Sequence, residues 1–234
     1  MTPSARFGAK RTPLAEWRRA VQRERALIAL FDLGRQKTYG LRAARLYAFG
    51  VFVTYAIAIA LATGADRGRV IHGFVAAALV ALSWVVGALA TLGSTQALAQ
   101  QAEQGSLSAL AVQRGYAGAA LLRARTLAAA QRIARLVGLP ALLLVLVGVL
   151  RGATLSWASA VAPAVVVYAC ALGLSLAAVA QFAAELAPAH PRALLLALLL
   201  GPLLISQVFP GIPSFPQLFS WLMARLLATG AALA

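Results

Sequence analysis

A chain of 234 residues that is 62% hydrophobic, with a mean hydropathy of +0.82, carries more apolar surface than one soluble core can hide, so most of it is expected to face lipid. Its formal net charge of +15 would point to nucleic acid in a soluble chain. Here the basic residues cluster outside the apolar runs, which argues against a nucleic-acid reader and makes anionic lipid headgroups the expected partner.

Residues 1–45 hold eleven basic residues, from Arg6 to Arg45, and no short apolar stretch with a cleavage site, so no removable signal peptide is expected. Thr12 can cap a helix with Pro13 in its first turn. Leu14, Trp17, Val21, Ile28 and Phe31 then recur at helical spacing against a face carrying Arg18, Arg19, Arg23 and Arg25. This predicts a cytoplasmic basic arm whose amphipathic helix lies on the membrane surface, each basic residue near an anionic leaflet contributing about 1 kcal/mol. The arm serves either as a topology determinant alone or as an elbow that moves with the first span, with Gly34 and Gly40 supplying the bend.

From residue 46 onward, apolar runs predict six transmembrane helices at roughly 46–65, 70–98, 133–150, 157–187, 193–209 and 218–234. The expected fold is an all-α integral membrane protein in which 46–234 form one domain. The second and fourth runs exceed a bilayer crossing and should tilt or project, whereas the fifth and sixth are short enough to keep their connection close to the membrane. The lone cysteine, Cys170, lies inside the fourth run, which leaves no intrachain disulfide and reads as packing. With an even number of spans, the N-terminal arm, the connection after span two and the link after span four share one side. Arg114, Arg123, Arg125, Arg132, Arg135 and Arg192 add to the arm's charge there, against Arg67, Arg69 and Arg151 opposite, while Arg225 falls inside the sixth run. Both termini are therefore expected in the cytoplasm. The dominance of arginine over lysine, with only Lys10 and Lys37 present, and the abundance of alanine fit a GC-rich bacterial genome and so a bacterial cytoplasmic membrane.

A polar, basic segment at 99–125 interrupts this pattern. Span two ends in Ser94-Thr95-Gln96, followed by Gln100 and Gln101, and Gly105 suits the left-handed turn that stops a helix. Ser106 can cap a new short helix, with Leu107 and Leu110 on one face and Val112 nearby, before Gly115 breaks it and a basic helix from about Ala117 enters span three. Two helical turns are too short to be stable alone. The small apolar face must pack on the chain's own helices, on lipid, or in a groove of a soluble subunit.

These residues resemble the membrane subunits of type-2 ABC exporters, whose members carry antibiotics, lipids, polysaccharides or haem. Subunits of that family typically have six spans with both ends inside, and a cytoplasmic connection after span two that reads acidic residue, Gly-Thr/Ser-Leu, a second Leu, a small polar turn and a basic residue. Glu103, Gly105, Ser106, Leu107 and Leu110 match this pattern, and Arg123 or Arg125 stands where the family usually has lysine. The chain departs from it after the short helix, with Ala111 and Val112 where the family favours proline. A second stretch, Leu203 to Pro210 with Pro213 and Pro216, is similar to the family's re-entrant connection between spans five and six. The resemblance implies that the short helix is a coupling helix seated in a cleft of a separate ATPase, which passes its closure to the spans. It also implies a working unit of two permease subunits, alike or different, with two ATPases. ATP and magnesium would belong to that partner, because this chain has no G-x-x-x-x-G-K-[ST] loop and no carboxylate pair to hold the metal. No cofactor and no catalytic residue is expected in the chain itself.

Within the spans, Glu185, with Gln181 one turn earlier, is the lone carboxylate and a candidate intramembrane polar site, for proton or substrate coupling or for anchoring at the interface. His72 and His190 fall on opposite membrane sides and cannot share a metal or a triad. Ser83, Trp84, Thr91, Ser94 and Tyr168 can line an interior surface. Gly148 and Gly152 have small-xxx-small spacing, and Pro140 should kink span three. The sparse charge within the spans favours an amphiphilic or lipid-like cargo. A secondary transporter or channel would need a buried ion-binding constellation or an internal repeat, neither of which is evident, and a non-transporting membrane scaffold is the other alternative.

Overall fold

The structure, a computed structural model, describes residues 22–23, 25–26, 39–61, 84–95, 98, 109, 112–113, 115, 118–150, 152, 154–209, 217, 221 and 225. All regular structure among these residues is helical. The elements are α1 (Tyr39–Leu61), α2 (Trp84–Thr95), α3 (Gly118–Leu150), α4 (Leu155–Leu186) and α5 (Pro191–Val208). Two helices, Ala119–Leu150 within α3 and Leu155–Leu186, are long and apolar enough to cross a membrane.

The helices follow the apolar runs with instructive shifts. α1 starts at Tyr39 rather than 46, and the basic stretch from Ala117 fuses with the run at 133–150 into one helix of 33 residues that continues through Pro140. Alanine, leucine and arginine dominate that junction, and all three favour helix, so nothing local stops it. At about 1.5 Å per residue α3 is about 50 Å long, roughly 20 Å more than the hydrocarbon core of a bilayer. Of the last run, the described residues are Trp221 and Arg225, both helical; the guanidinium lies 5.4 Å from the ring centroid one turn away, a cation–π contact that accommodates a charge in an apolar segment.

α3 turns into α4 through a tight connection. Gly152 takes φ +108, a conformation that side chains rarely adopt, and its N–H donates to the Val149 carbonyl at 3.0 Å. Thr154 then caps α4, its Oγ1 accepting from the Trp157 N–H at 3.2 Å. Gly152 thus ends α3 instead of forming a small-xxx-small packing pair with Gly148.

The two long helices run antiparallel and meet through small residues. A Cβ on Gly173 would lie 2.7 Å from the Ala130 carbonyl oxygen and 3.1 Å from both the amide N and Cβ of Ala134, and one on Gly138 would lie 3.3 Å from the Ala169 Cβ. Without those side chains the backbones come close enough for dispersion contact along the seam. α2 lies in the groove between them, Gly87 facing Leu172, Leu176 and Val137. α1 packs on α3, and α5 returns along α4 after the turn at Ala187–His190, burying Leu195 and Leu199. Tyr168, Ile133, Leu144, Leu172, Leu176 and Leu195 are the largest fully buried side chains.

Leucine also points outward. Leu139 is 61% and Leu150 75% exposed, with Leu143 and Leu146 between them on one face of α3, and Leu196, Leu200 and Leu204 form a similar stripe on α5. Cys170 is exposed on the outward face of α4 beside Val166, Val167 and Leu174, so its thiol is not the core packing group that its apolar setting suggested. A water-soluble protein rarely exposes contiguous apolar faces on this scale.

Candidate functional site at the basic end of the helices

The antiparallel packing gathers the end of α2, the start of α3, the end of α4 and the start of α5 at one end of the assembly. Arg123, Arg125, Arg132 and Arg135 on the first half of α3 lie towards this end, as does Arg192 on α5. Glu185, the lone carboxylate side chain among the described residues, ends α4 there and acts on Arg125.

Arg125 organises the end. Its Nη2 donates to the Leu98 carbonyl at 2.7 Å, joining positions 27 residues apart, and the guanidinium interacts electrostatically with Glu185. The intervening stretch, which contains the short polar insert, is therefore pinned at both ends to a single point. A charged donor on a neutral carbonyl is one of the stronger hydrogen bonds available, and Leu98 is itself helical and buried. The two arginines on offer for the basic position, Arg123 and Arg125, are thereby distinguished: Arg123 is exposed and Arg125 reaches α2.

The far boundary of the insert is also defined. Ala109, Val112 and Gln113 are helical and exposed, with Val112 at 58%, and the Gly115 N–H donates to the Val112 carbonyl at 2.8 Å while Gly115 adopts φ +79. Gly115 breaks the helix by entering the left-handed region. Glu103, Gly105, Ser106, Leu107 and Leu110 lie outside the described residues, as do Trp17, Arg18, Arg19, Val21, Ile28 and Phe31 of the arm. Of that arm, Gln22, Arg23, Arg25 and Ala26 are described, and they are helical and exposed.

Gln181 and Glu185 do come together. The Gln181 Nε2 donates to Glu185 Oε1 at 2.6 Å, with Gln181 only 5% exposed and Glu185 at the surface. The pair is a local one-turn contact of α4, and its charge is directed to Arg125 rather than to a second carboxylate. Thr91 and Thr95 turn their hydroxyls back onto the carbonyls of Gly87 and Thr91, at 2.6 and 2.7 Å, so these buried groups satisfy their own helix and do not line a polar path. Tyr168 and Ser94 are buried, Trp84 is half-buried, and Ser83 and His72 fall outside the described residues; His190 is exposed at the start of α5.

The Arg125–Leu98 tie was not evident from sequence, since nothing in the spacing of an arginine reveals which distant carbonyl it will reach. Compared with protein-family models, with curated proteins and with solved structures, the chain gives no match.

Proposed function

We propose that this chain is the membrane-spanning permease subunit of an ATP-binding-cassette exporter in a bacterial cytoplasmic membrane, with six spans and both termini in the cytoplasm. The reading rests on one observation: the motif Glu103, Gly105, Ser106, Leu107 and Leu110 lies in a polar insert between two apolar segments. The geometry around the insert supports it, because the Gly115 turn closes its far side and Arg125 ties its two flanks together. On this reading the arm with Trp17, Arg18, Arg19, Val21, Ile28 and Phe31 lies on the cytoplasmic leaflet, and residues 103–112 form a foot for a soluble ATPase that binds ATP and magnesium. Two permease subunits complete the unit, and closure of the ATPase biases an equilibrium between inward- and outward-facing packings of the spans.

Co-purification tests the assignment. Replacing Leu107 and Leu110 by aspartate places charge on the face that would enter the ATPase cleft, and is expected to abolish recovery of the ATPase with the solubilised permease while leaving the permease folded. Unchanged association and unchanged ATP turnover in the double variant would refute the docking role.

A further inference from the structure

We propose that Glu185 is a positioning residue for the polar insert: its carboxylate, fixed by Gln181, holds the Arg125 guanidinium on the Leu98 carbonyl, so that the end of α4 sets how firmly the insert is anchored to α3. The Gln181–Glu185 pair, a candidate for proton or substrate coupling by its place in an apolar run, then serves the insert instead.

Three observations converge on this assignment. The first is the state of the guanidinium. Its Nη2 donates to Leu98, but its Nε is buried and, among the described residues, has no hydrogen-bond partner. One hydrogen bond leaves a planar group free to swing about that contact, and a fixed negative charge nearby restricts the swing. The second is the setting of the carboxylate. Glu185 lies in the last turn of α4, where the helix dipole disfavours negative charge, and α4 has no basic residue in that turn to offset it. Gln181, only 5% exposed and so immobilised by packing, donates its amide to the carboxylate at 2.6 Å, a short charge-assisted bond that fixes it in place.

The third is register. α3 and α4 run antiparallel, and from the contact of Gly173 with Ala130, Arg125 lies about 7 Å along α3 and Glu185 about 18 Å along α4, both towards the basic end. Helical side chains lean towards the N-terminus of their own helix. The Arg125 side chain therefore leans towards the basic end and that of Glu185 back from it, which narrows the difference and accounts for the electrostatic interaction between them.

The inference takes the insert as the docking segment of the proposed function, but its test uses this chain alone, so a failed anchor and a failed ATPase assignment give different results. Arg114 is the single trypsin site between residues 99 and 117. In non-ionic detergent micelles, cleavage after Arg114, followed by mass spectrometry against cleavage in the N-terminal arm, should accelerate about two- to fivefold in Glu185→Gln, the range for one partly exposed charge pair. Gln181→Met, which keeps the charge but frees its position, should fall between wild type and Glu185→Gln. Arg125→Met combined with Glu185→Gln should match Arg125→Met alone, since Glu185 acts through Arg125. Raising salt from about 0.1 M to about 1 M should bring wild type towards Glu185→Gln, a response that a purely steric role would not give. Arg192→Gln should cleave at the wild-type rate. A wild-type rate in Glu185→Gln would overturn the assignment. So would further acceleration in the double variant, or an effect of Arg192→Gln equal to that of Glu185→Gln.

Discussion

Gly173 offers a test in which local propensity and tertiary packing predict opposite signs. Alanine is a better helix former than glycine by about 1 kcal/mol, so at an unconstrained site Gly→Ala stabilises. At position 173 the added Cβ would come within 2.7 Å of the Ala130 carbonyl oxygen and 3.1 Å of Ala134. The opposing atoms belong largely to backbone, so no rotamer change relieves the contact and α3 and α4 must separate by several tenths of an ångström along their shared seam. Overpacking of this kind costs about 1–3 kcal/mol. Set against the propensity gain, Gly173→Ala should lose about 1 kcal/mol, and Gly173→Leu, which drives a full side chain into the seam, should fail to form the hairpin. Gly50 is the control: it is also helical, and a Cβ there meets nothing within 4 Å. Gly50→Ala should therefore be neutral or slightly stabilising. Unfolding in mixed micelles with increasing dodecyl sulfate, followed by circular dichroism, gives both values on one scale. Equal shifts at the two positions, or stabilisation by Gly173→Ala, would refute the close approach of the two helices.

Two further outcomes follow from the ends of the long helices. Thr154→Ala removes the acceptor for the Trp157 N–H and should cost about 0.5–2 kcal/mol in the same unfolding assay, whereas Thr154→Ser, which keeps an oxygen at that position, should cost a fraction of that. Arg125→Met keeps much of the aliphatic bulk but removes the donor to Leu98, a charge-assisted bond worth about 1.5–3 kcal/mol, and should release the stretch between residues 98 and 118. Limited proteolysis within that stretch should accelerate by at least about tenfold, while cleavage elsewhere in the chain stays at its wild-type rate.

Hydrophobic length made much of the fold legible. The runs at 157–187 and 193–209 predict α4 and α5 to within two residues at each end, since in a membrane-grade segment length is itself the signal. Contact partners were a different matter. α3 and α4 are apolar nearly all round beyond residue 136, so periodicity does not say which face is inside. Gly148 and Gly152 have the spacing of a packing pair, yet Gly173 and Gly138 make the close contacts and Gly152 makes a turn. Which glycine meets which helix depends on the register between two helices, a pairwise property that neither sequence carries alone. Cys170 went the same way, apolar in its neighbours but outward in its facing. At the candidate site, Gly115 was readable because a left-handed turn has a residue preference, while Arg125 was readable only as a charge.

The tie between Arg125 and Leu98 bears on how an insert as small as two helical turns could transmit work. A free two-turn helix spends most of its time unfolded, and a soluble partner pushing on a slack loop would move the loop rather than the membrane helices. Here the slack is bounded. Residue 98 and residue 125 are held within one hydrogen bond, and Arg125 lies about 7 Å along α3 from Ala130, where Gly173 locks α3 against α4. A force delivered to residue 98 or residue 125 therefore reaches α3 within two turns of its close approach to α4 at Gly173. On the proposed function, Arg125→Met should leave ATPase binding in place, because the docking face is untouched, yet uncouple ATP turnover from transport. Loss of both together would mean that Arg125 shapes the foot itself rather than the lever behind it.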